Sequence, residues 1–369
     1  MSSAIGYDTD GVLHSKYGIV IQNIWLLMLY ASDLFQRINY ASQQTQKEVA
    51  PDKLPDIIAE ILVKFVRERL MCGLTRNSLP KQEDLPRVRG RIDILRTEGH
   101  CLLERGLVSC RFHEPTLNTP RNRLIKAALE RGSFIASGRI AQICHDYASL
   151  MFRMGVIDGL PDRSTFSKEV NTINNREDRQ AIAAARLLLE MAVPATRQGK
   201  EYLLIPEVNE EWLRGLFERA IRGFYRVTVA HIWKVKETHH VQSWPLQEFS
   251  DGLRDHLPRM ELDILLTSMD NQRKIVIDTK FTSLLKPGWN RKGDAFDSGH
   301  LYQMYAYLRT QESESHADKQ ATGVLLYPVT DMSRKFSCSM HSHNFILATI
   351  NLNASAQEIR QSLLDLIDE

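Results

Sequence analysis

Two aspartates and a lysine stand in a pattern that could bind a metal ion and cut a phosphodiester. Asp263 lies in one apolar run of the chain, and Asp278 and Lys280 lie in the next. Carboxylate oxygens are hard ligands that suit Mg²⁺, which keeps several waters and takes further ligands from a substrate phosphate. A bound ion can acidify a water molecule, and a lysine beside it can orient that water or offset charge in the transition state. These residue types therefore indicate metal-assisted hydrolysis.

The elements that must position these groups are two strands joined by a polar turn, within Met260 to Phe281. Apolar residues alternate with polar ones in both runs, which is the period of a half-buried strand. A turn centred between Asp270 and Asn271 would place Asp263 opposite Asp278, with Cβ atoms about 5 Å apart. Two carboxylates that close repel each other unless a cation lies between them. The register itself therefore favours a metal site.

A D-x-K pattern on a strand is also typical of an ordinary ion pair on a solvated face, so the neighbouring residues matter. Lys280 lies two residues beyond the second aspartate and projects from the same strand face. The segment 282–299 contains Gly, Pro and Lys286, and a basic flexible loop is suited to contacts with a phosphodiester backbone. Gln303 and Tyr307 follow on one helical face, where they could contact the substrate backbone or simply pack in the core.

A third carboxylate lies on the helix that precedes the hairpin. The sequence predicts a long amphipathic helix over Asn209 to about Trp233. Glu218 lies at the edge of its apolar stripe, so it could reach the aspartate pair or could face solvent as an ordinary helical glutamate.

Composition excludes several classes of protein. The 369 residues suggest two domains, and a formal net charge of +2 indicates no particular partner. The five cysteines are scattered without C-x-x-C spacing, which argues for reduced thiols in the cytoplasm and against a zinc site or disulfide framework. The most apolar run, residues 19–31, is too short to span a bilayer. No P-loop motif is present, so this chain is not expected to bind a nucleoside triphosphate through one.

The amino-terminal half contains a basic stretch. Residues 85–131 carry ten Lys or Arg against five acids. Arg87 to Leu95 alternates like a strand, with which Leu107 to Phe112 could pair. Such a stretch is either a solvated, internally paired face or a basic surface for an acidic partner or phosphate. The candidate partner contacts are Arg89, Arg91 and Arg123.

Local signals also place the boundaries of elements and domains. Pro80 and Pro86 bracket a predicted loop, and Thr119 before Pro120 predicts a helix start. The later order of helix, hairpin, strand, helix and strand fits an α/β core with a mixed sheet, preceded by an α+β domain. Gly155 to Ser167 is the best linker candidate, which gives expected domains 1–165 and 166–369.

The motifs together resemble a known family. LPRMELDILL, KIVIDTKF and LYQMYAYL occur in the order found in the McrC family, the nuclease subunits of modification-dependent restriction systems. IQNIWLLMLYASDL, VRGRIDILRT, TPRNRLIKAAL and GVLLYP extend the resemblance over nearly the whole chain. D-(x14)-D-x-K is similar to the PD-(D/E)xK nuclease motif without its preceding Pro, and Gln-x-x-x-Tyr resembles the RecB-like members.

The resemblance implies a Mg²⁺-dependent endonuclease acting on double-stranded DNA that carries 5-methylcytosine-type modification. Asp263, Asp278 and Lys280 match the catalytic motif, and the ion would be held by both aspartates and the backbone carbonyl of Thr279. Glu218 matches less securely. The amino-terminal part would dock on McrB, a separate AAA+ GTPase that binds the GTP and is stimulated by this chain.

Two other functions remain open from the sequence. One is a non-catalytic activator whose nuclease fold only docks a motor on DNA, although the intact D-(x14)-D-x-K argues against it. The other is a stand-alone RecB-like nuclease, although the long basic amino-terminal domain argues for a partner.

Overall fold

The computed structural model describes most of the chain. The residues described are 5–7, 13–15, 17–32, 34–35, 53–161, 176–195, 210–236, 240–242, 244, 246, 248–287, 294–312 and 315–368.

The α-helices are α1 (Ile21–Tyr30), α2 (Leu54–Cys72), α3 (Ile94–Gly99), α4 (Pro120–Ile135), α5 (Gly138–Arg153), α6 (Arg176–Ala195), α7 (Glu210–Thr228), α8 (Leu253–His256), α9 (Ser298–Thr310), α10 (His316–Lys319) and α11 (Ala356–Asp365). The strands are β1 (Ile5–Tyr7), β2 (Leu13–Ser15), β3 (Asn77–Leu85), β4 (Arg91–Ile92), β5 (Val108–Thr116), β6 (Trp233–Val235), β7 (His240–Gln242), β8 (Met260–Leu262), β9 (Ile264–Ser268), β10 (Lys274–Thr279), β11 (Leu285–Pro287), β12 (Asp294–Phe296), β13 (Thr322–Val329), β14 (Lys335–Met340) and β15 (His343–Asn351).

The chain forms two compact units whose bounds differ from the expected domains. The first unit contains Met1–Leu54 and Leu204–Glu369, and the second contains Pro55–Leu203. The physical reason is that α1 packs against the carboxy-terminal half: the Asn23 side chain donates to the carbonyls of Leu352 and Ala354 at 2.8 and 2.9 Å. Contacts between residues so far apart in sequence leave no local signal, whereas the turn-rich segment near residue 165 does.

A six-stranded mixed sheet forms the centre of the first unit. Its order is β14-β15-β13-β10-β9-β6, with β10, β13 and β15 parallel to one another and the remaining pairs antiparallel. Helix α9 packs on β10 and β13, and α7 packs on β6. The mixed α/β class predicted from the sequence is therefore confirmed. The parallel strands are continuous apolar runs, as expected for strands covered on both faces.

The predicted hairpin has the predicted register. Strands β9 and β10 pair from Lys274 opposite Thr267 to Ile277 opposite Ile264, and Asn271 in the turn has φ of 57°. The first apolar run differs from expectation because the strand breaks at Asp263: β8 before the break pairs with β7, whereas β9 after it pairs with β10.

The second unit combines α2, α4, α5 and α6 with a three-stranded antiparallel sheet of order β3-β5-β4. The predicted start of α4 is confirmed, because the Thr119 side chain accepts a hydrogen bond from the Asn122 N–H at 3.1 Å. Contacts between α4 and both α5 and α6 make up most of the helical packing.

Two local predictions in this unit were wrong. The expected loop at Pro80 to Pro86 is largely strand β3, which pairs with β5 along its length. Of the expected strand from Arg87 to Leu95, only β4 is a strand, because the Asp93 carboxylate accepts from the Arg96 N–H and begins α3. β3 is exposed over most of its length, so it lacks the alternation by which strands are recognised.

Within the described residues, no helix has the length and apolar character needed to cross a membrane.

Candidate active site

The two aspartates meet where the central strands end. Asp278 is the fifth residue of β10, lies between β9 and β13, and is 2% exposed. Asp263 lies at the break between β8 and β9, where its Oδ2 accepts hydrogen bonds from the Thr279 N–H at 2.7 Å and the Thr279 hydroxyl at 2.8 Å. The pairing of the strands thus sets the position of Asp278. The two hydrogen bonds from Thr279 set the position of the Asp263 carboxylate beside it.

Lys280 connects the carboxylates to helix α9. Its N–H donates to the Leu326 carbonyl at 2.9 Å, which extends the pairing of β10 with β13 by one residue. Its Nζ lies 2.7 Å from Asp278 Oδ2 and donates to Gln303 Oε1 at 2.9 Å. The ammonium group is therefore held between an acid from the sheet and an amide from the helix.

The Gln-x-x-x-Tyr pair of α9 continues this chain of hydrogen bonds. Gln303 Nε2 donates to the Tyr307 hydroxyl at 2.6 Å, and that hydroxyl donates to the Glu261 carbonyl at 2.9 Å. The structure brings both residues to the carboxylates, where they orient Lys280. Their contact with substrate remains a prediction.

Helix α7 supplies the third carboxylate and a residue that the sequence analysis missed. Glu218 forms an ion pair with Arg222, whose Nε donates to the backbone carbonyl of Asp263 at 3.1 Å. The rings of Phe217 and Phe281, with centroids 6.1 Å apart, pack α7 against the end of the hairpin. The only signal for Arg222 in the sequence is its i+4 spacing from Glu218.

Burial and like charge raise the pKa of Asp278 to about 6. Burial is the larger cause, and the charge of Asp263 is the second. Lys280 lowers this pKa and Glu218 raises it, so both charges lie within electrostatic reach of the carboxyl. A site that gathers like charges in a buried place disfavours their ionisation, and such sites are commonly functional.

The donor set fits Mg²⁺ better than a transition metal. Among the described residues, no group of three or more His, Cys, Asp or Glu side chains is placed to hold a metal ion. Two carboxylates with a backbone carbonyl leave coordination positions for water and phosphate, which is the manner in which Mg²⁺ is usually bound. The residues present therefore fit the ion that the sequence pattern implies.

The remaining predicted residues lie elsewhere. The side chain of Lys286 is outside the described part of the structure. Arg91 is in strand β4 of the second unit, and Arg89 lies in the segment that precedes this strand. The Arg89 guanidinium lies 4.1 Å from the Phe112 ring centroid and 3.7 Å from Glu114. The Arg123 side chain donates to the Gly159 and Leu160 carbonyls, at 3.3 and 3.0 Å, and so holds the segment after α5.

Five of the ten basic side chains of residues 85–131 form ion pairs with acids. Arg111 pairs with Asp93, and Arg96 pairs with Asp84. Arg91 is exposed and has no ion-pair partner among the described side chains. The arginines therefore do not form one continuous positive surface.

An apolar surface of the second unit was also missed from the sequence. Around α3, four large side chains are exposed, and we call them the apolar ridge: Ile92, Ile94, Leu95 and Leu103. Leu95 alone is 85% exposed. Contiguous exposed apolar side chains are typical of protein interaction sites.

The fold and site define a mixed α/β protein with a carboxylate pair, of which Asp278 is buried, and an oriented lysine. Comparison with known proteins then assigns the family. The family model described as McrBC 5-methylcytosine restriction system component matches residues 12–328. The chain therefore belongs to the McrBC family, which confirms the family resemblance seen in the sequence.

The chain is also similar to individual known proteins. The chain is 26% identical over 359 residues to the type IV methyl-directed restriction enzyme EcoKMcrBC of Escherichia coli (strain K12), covering 95% of this chain and 98% of the relative. Among solved structures, the half-complex of Thermococcus gammatolerans McrB AAA+ hexamers with bound McrC matches with a TM-score of 0.41, 16% identity, and coverage of 85% of this chain and 68% of that one. The cryo-EM structure of the Thermococcus gammatolerans McrBC complex matches with a TM-score of 0.35, 15% identity, and coverage of 56% and 57%.

Proposed function

We propose that this chain is the Mg²⁺-dependent endodeoxyribonuclease subunit of a modification-dependent restriction complex. The observation that supports this most strongly is the arrangement of Asp263, Asp278 and Lys280 at the end of the central strands, in a chain of the McrBC family. A mixed sheet with this hairpin is consistent with a PD-(D/E)xK core. The substrate is double-stranded DNA carrying 5-methylcytosine-type modification, as the family description suggests.

In this proposal the ion is held by Asp263, Asp278 and the backbone carbonyl of Thr279. Glu218 is a third carboxylate near the site, and it is paired with Arg222. When bound, Mg²⁺ lowers the pKa of a water molecule and offsets negative charge on the phosphate.

The chain's own side chains prepare that water and the lysine beside it. Gln303 fixes Lys280 Nζ, and Tyr307 fixes the Gln303 amide in turn. A lysine held in this way can donate to the attacking water or to the phosphate, and it needs little rearrangement as charge develops. Hydrolysis then proceeds without a covalent intermediate. Gln303, Tyr307 and Lys286 are the proposed contacts to the DNA backbone.

We also propose that the chain docks on a McrB-like AAA+ GTPase, which binds the GTP. The family description refers to a component of a larger system, and this chain has no P-loop of its own. The apolar ridge is the best candidate for the docking surface, since the buried core of a protein interface is more apolar than the rest of the surface. Arg89 and Arg91 would contribute at the rim of the ridge. The proposal also divides the functions of the chain, with partner binding in residues 1–165 and DNA cleavage in residues 166–369.

The test is cleavage of methylated plasmid by the complex with the Asp278→Asn variant. We expect cleavage to be lost while the partner's GTP hydrolysis is stimulated normally. Asp331→Asn, which changes an exposed carboxylate, is the control and should cut normally. Undiminished cutting by Asp278→Asn would refute the catalytic assignment. Efficient cutting by the wild-type chain without a partner would instead favour a stand-alone nuclease.

A further inference from the structure

Arg222 occupies an unusual place beside the proposed metal site. Its guanidinium contacts two groups, the carboxylate of Glu218 on its own helix and the backbone carbonyl of Asp263 on the sheet. The side chain is 12% exposed, so both contacts are largely shielded from water. Charge-assisted hydrogen bonds from a fixed guanidinium fork impose geometry as well as attraction.

The carbonyl that Arg222 contacts belongs to the residue at which the strand breaks. β8 ends at Leu262 and β9 begins at Ile264, so Asp263 lies outside the regular ladder. Its carboxylate is held by Thr279 on one side, and its carbonyl is held by Arg222 on the other. These two contacts together determine where the carboxylate points.

Helix α7 is itself held firmly at this position. Gly223 follows Arg222, and a Cβ at Gly223 would lie 1.9 Å from the Tyr30 carbonyl oxygen of α1. The rings of Tyr30 and Phe224 pack beside this contact with centroids 5.2 Å apart. The close approach of the two helices therefore fixes the backbone from which Arg222 extends.

The same helix contains a pair that serves as a control. Arg214 and Glu210 have the same i,i+4 spacing, but they lie 3.7 Å apart and their side chains are 63% and 61% exposed. Exposed pairs of this kind contribute little. The pair at Arg222 differs in its burial and in its additional contact with the sheet.

We propose that Arg222 is a positioning residue for the divalent metal site, and that Glu218 acts by holding Arg222. This inference rests on the proposed function, because it assumes that Asp263 binds the ion. In this proposal Glu218 holds Arg222 in position and does not itself bind the metal ion.

The first experiment measures Mn²⁺ binding to the full chain by isothermal titration calorimetry, without DNA or partner. Partners that orient metal ligands typically contribute about 10- to 100-fold in affinity, so we expect Arg222→Gln to bind Mn²⁺ about tenfold more weakly. Arg222→Lys should be similarly weak, because an ammonium group lacks the fork that reaches both contacts. Arg214→Gln is the control and should bind as the wild type does.

The second experiment separates positioning from loss of structure. In the complex, Arg222→Gln should need about tenfold more Mg²⁺ for half-maximal cleavage, the same factor expected for binding. Its maximal rate should recover in part at high Mg²⁺. A general loss of folded protein would lower the rate at every Mg²⁺ concentration and would leave the half-maximal concentration unchanged. Arg222→Lys, which retains a cation beside Glu218, provides a second variant if Arg222→Gln folds poorly.

A double-mutant cycle tests the role of Glu218. If Glu218 acts only through Arg222, the variant with both Glu218→Gln and Arg222→Gln should bind Mn²⁺ no more weakly than Arg222→Gln alone. Additive losses would show that Glu218 is an independent ligand and would overturn that half of the proposal.

The outcomes distinguish this inference from the proposed function. Wild-type Mn²⁺ affinity in Arg222→Gln or in folded Arg222→Lys, with binding lost in Asp278→Asn, would overturn the role of Arg222 alone. Wild-type affinity in Asp278→Asn would instead overturn the proposed metal site.

Discussion

The carboxylate hairpin of the first unit and the three-stranded sheet of the second both carry many charges, but their charges are arranged in opposite ways. In the hairpin, Asp278 is buried beside Asp263, and their mutual repulsion helps to raise the pKa of Asp278. In the sheet, exposed arginines pair with nearby acids, as Arg111 does with Asp93. Placing like charges close together in a buried site destabilises the fold, whereas exposed ion pairs change its stability little.

This difference indicates where function should be sought in each unit. In the hairpin, the charged groups themselves are the candidate site. In the sheet, several arginines are paired with acids, and the exposed apolar ridge is the unexplained feature.

The largest effect is expected from Lys280→Met, which removes the ammonium group and keeps an unbranched side chain. Cleavage by the complex should fall at least about 100-fold, the usual lower range for the loss of a group that assists proton transfer. Lys234→Met on the exposed face of β6 is the matched control. A rate within a few-fold of wild type for Lys280→Met would show that the lysine only balances charge.

The second prediction concerns stability in metal-free buffer. The pKa of Asp278 is raised from 3.8 to about 6 in the folded chain. Its ionisation therefore destabilises the fold: the penalty is absent below about pH 4, grows as the pH rises to about 6, and is complete above that. At about 1.4 kcal/mol per pKa unit, the penalty is about 3 kcal/mol.

Asp278→Asn should therefore unfold at a higher temperature than wild type at pH 7.5 in chelator, and this gain should disappear near pH 4. Thermal unfolding followed by circular dichroism measures both. Added Mg²⁺ should raise the unfolding temperature of the wild type and leave the variant unchanged. A variant less stable than wild type at pH 7.5 would contradict the account of the carboxylate pair.

The third prediction tests the apolar ridge. Leu95→Asp places a charge on the most exposed ridge residue and should reduce stimulation of the partner's GTP hydrolysis about tenfold, as expected for the loss of one interface anchor. Leu79→Asp alters an exposed leucine of strand β3, outside the ridge, and is the control. Equal effects of the two substitutions would show that the ridge is not the docking surface.

The smallest effects are expected from the arginines. Charge reversal at Arg89 or Arg91 should weaken stimulation only a few-fold, because charges at the rim of an interface mainly alter association rates. The effect of Arg91→Glu should shrink as salt is raised, since salt screens exposed charges. Arg123→Glu should lower the unfolding temperature as well, because its contacts with Gly159 and Leu160 would be lost.

The sequence allowed the placement of Asp263 beside Asp278 to be predicted because it follows from local rules. Once a turn is placed between Asp270 and Asn271, the register of β9 and β10 follows, and with it the meeting of Asp263 with Asp278. The helical spacing of Gln303 and Tyr307 likewise put both on the face that contacts Lys280.

Other features could not be predicted because they depend on contacts that are distant in sequence. The packing of α1 against α7 joins Tyr30 to Gly223, and no periodicity in either helix indicates it. Arg222 has the spacing of an ordinary surface pair, and only the break at Asp263 gives it a second partner. The number of arginines in residues 85–131 is plain from the sequence. Their acidic partners are not, because some of these acids lie on β3, whose pairing with β5 has no signal in the sequence.

The central claim is that Asp263 and Asp278 hold a divalent ion, and iron-mediated cleavage of the polypeptide tests it most directly. Fe²⁺ accepts the same oxygen ligands as Mg²⁺, and with ascorbate and peroxide it generates radicals that cut the backbone beside the bound ion. We expect the wild-type chain, without DNA or partner, to be cut near Asp263 and near Asp278 to Lys280. Excess Mg²⁺ should suppress both cuts, and Asp278→Asn should show neither. Cuts confined to other parts of the chain, or unchanged cutting of Asp278→Asn, would contradict the assignment of the metal site.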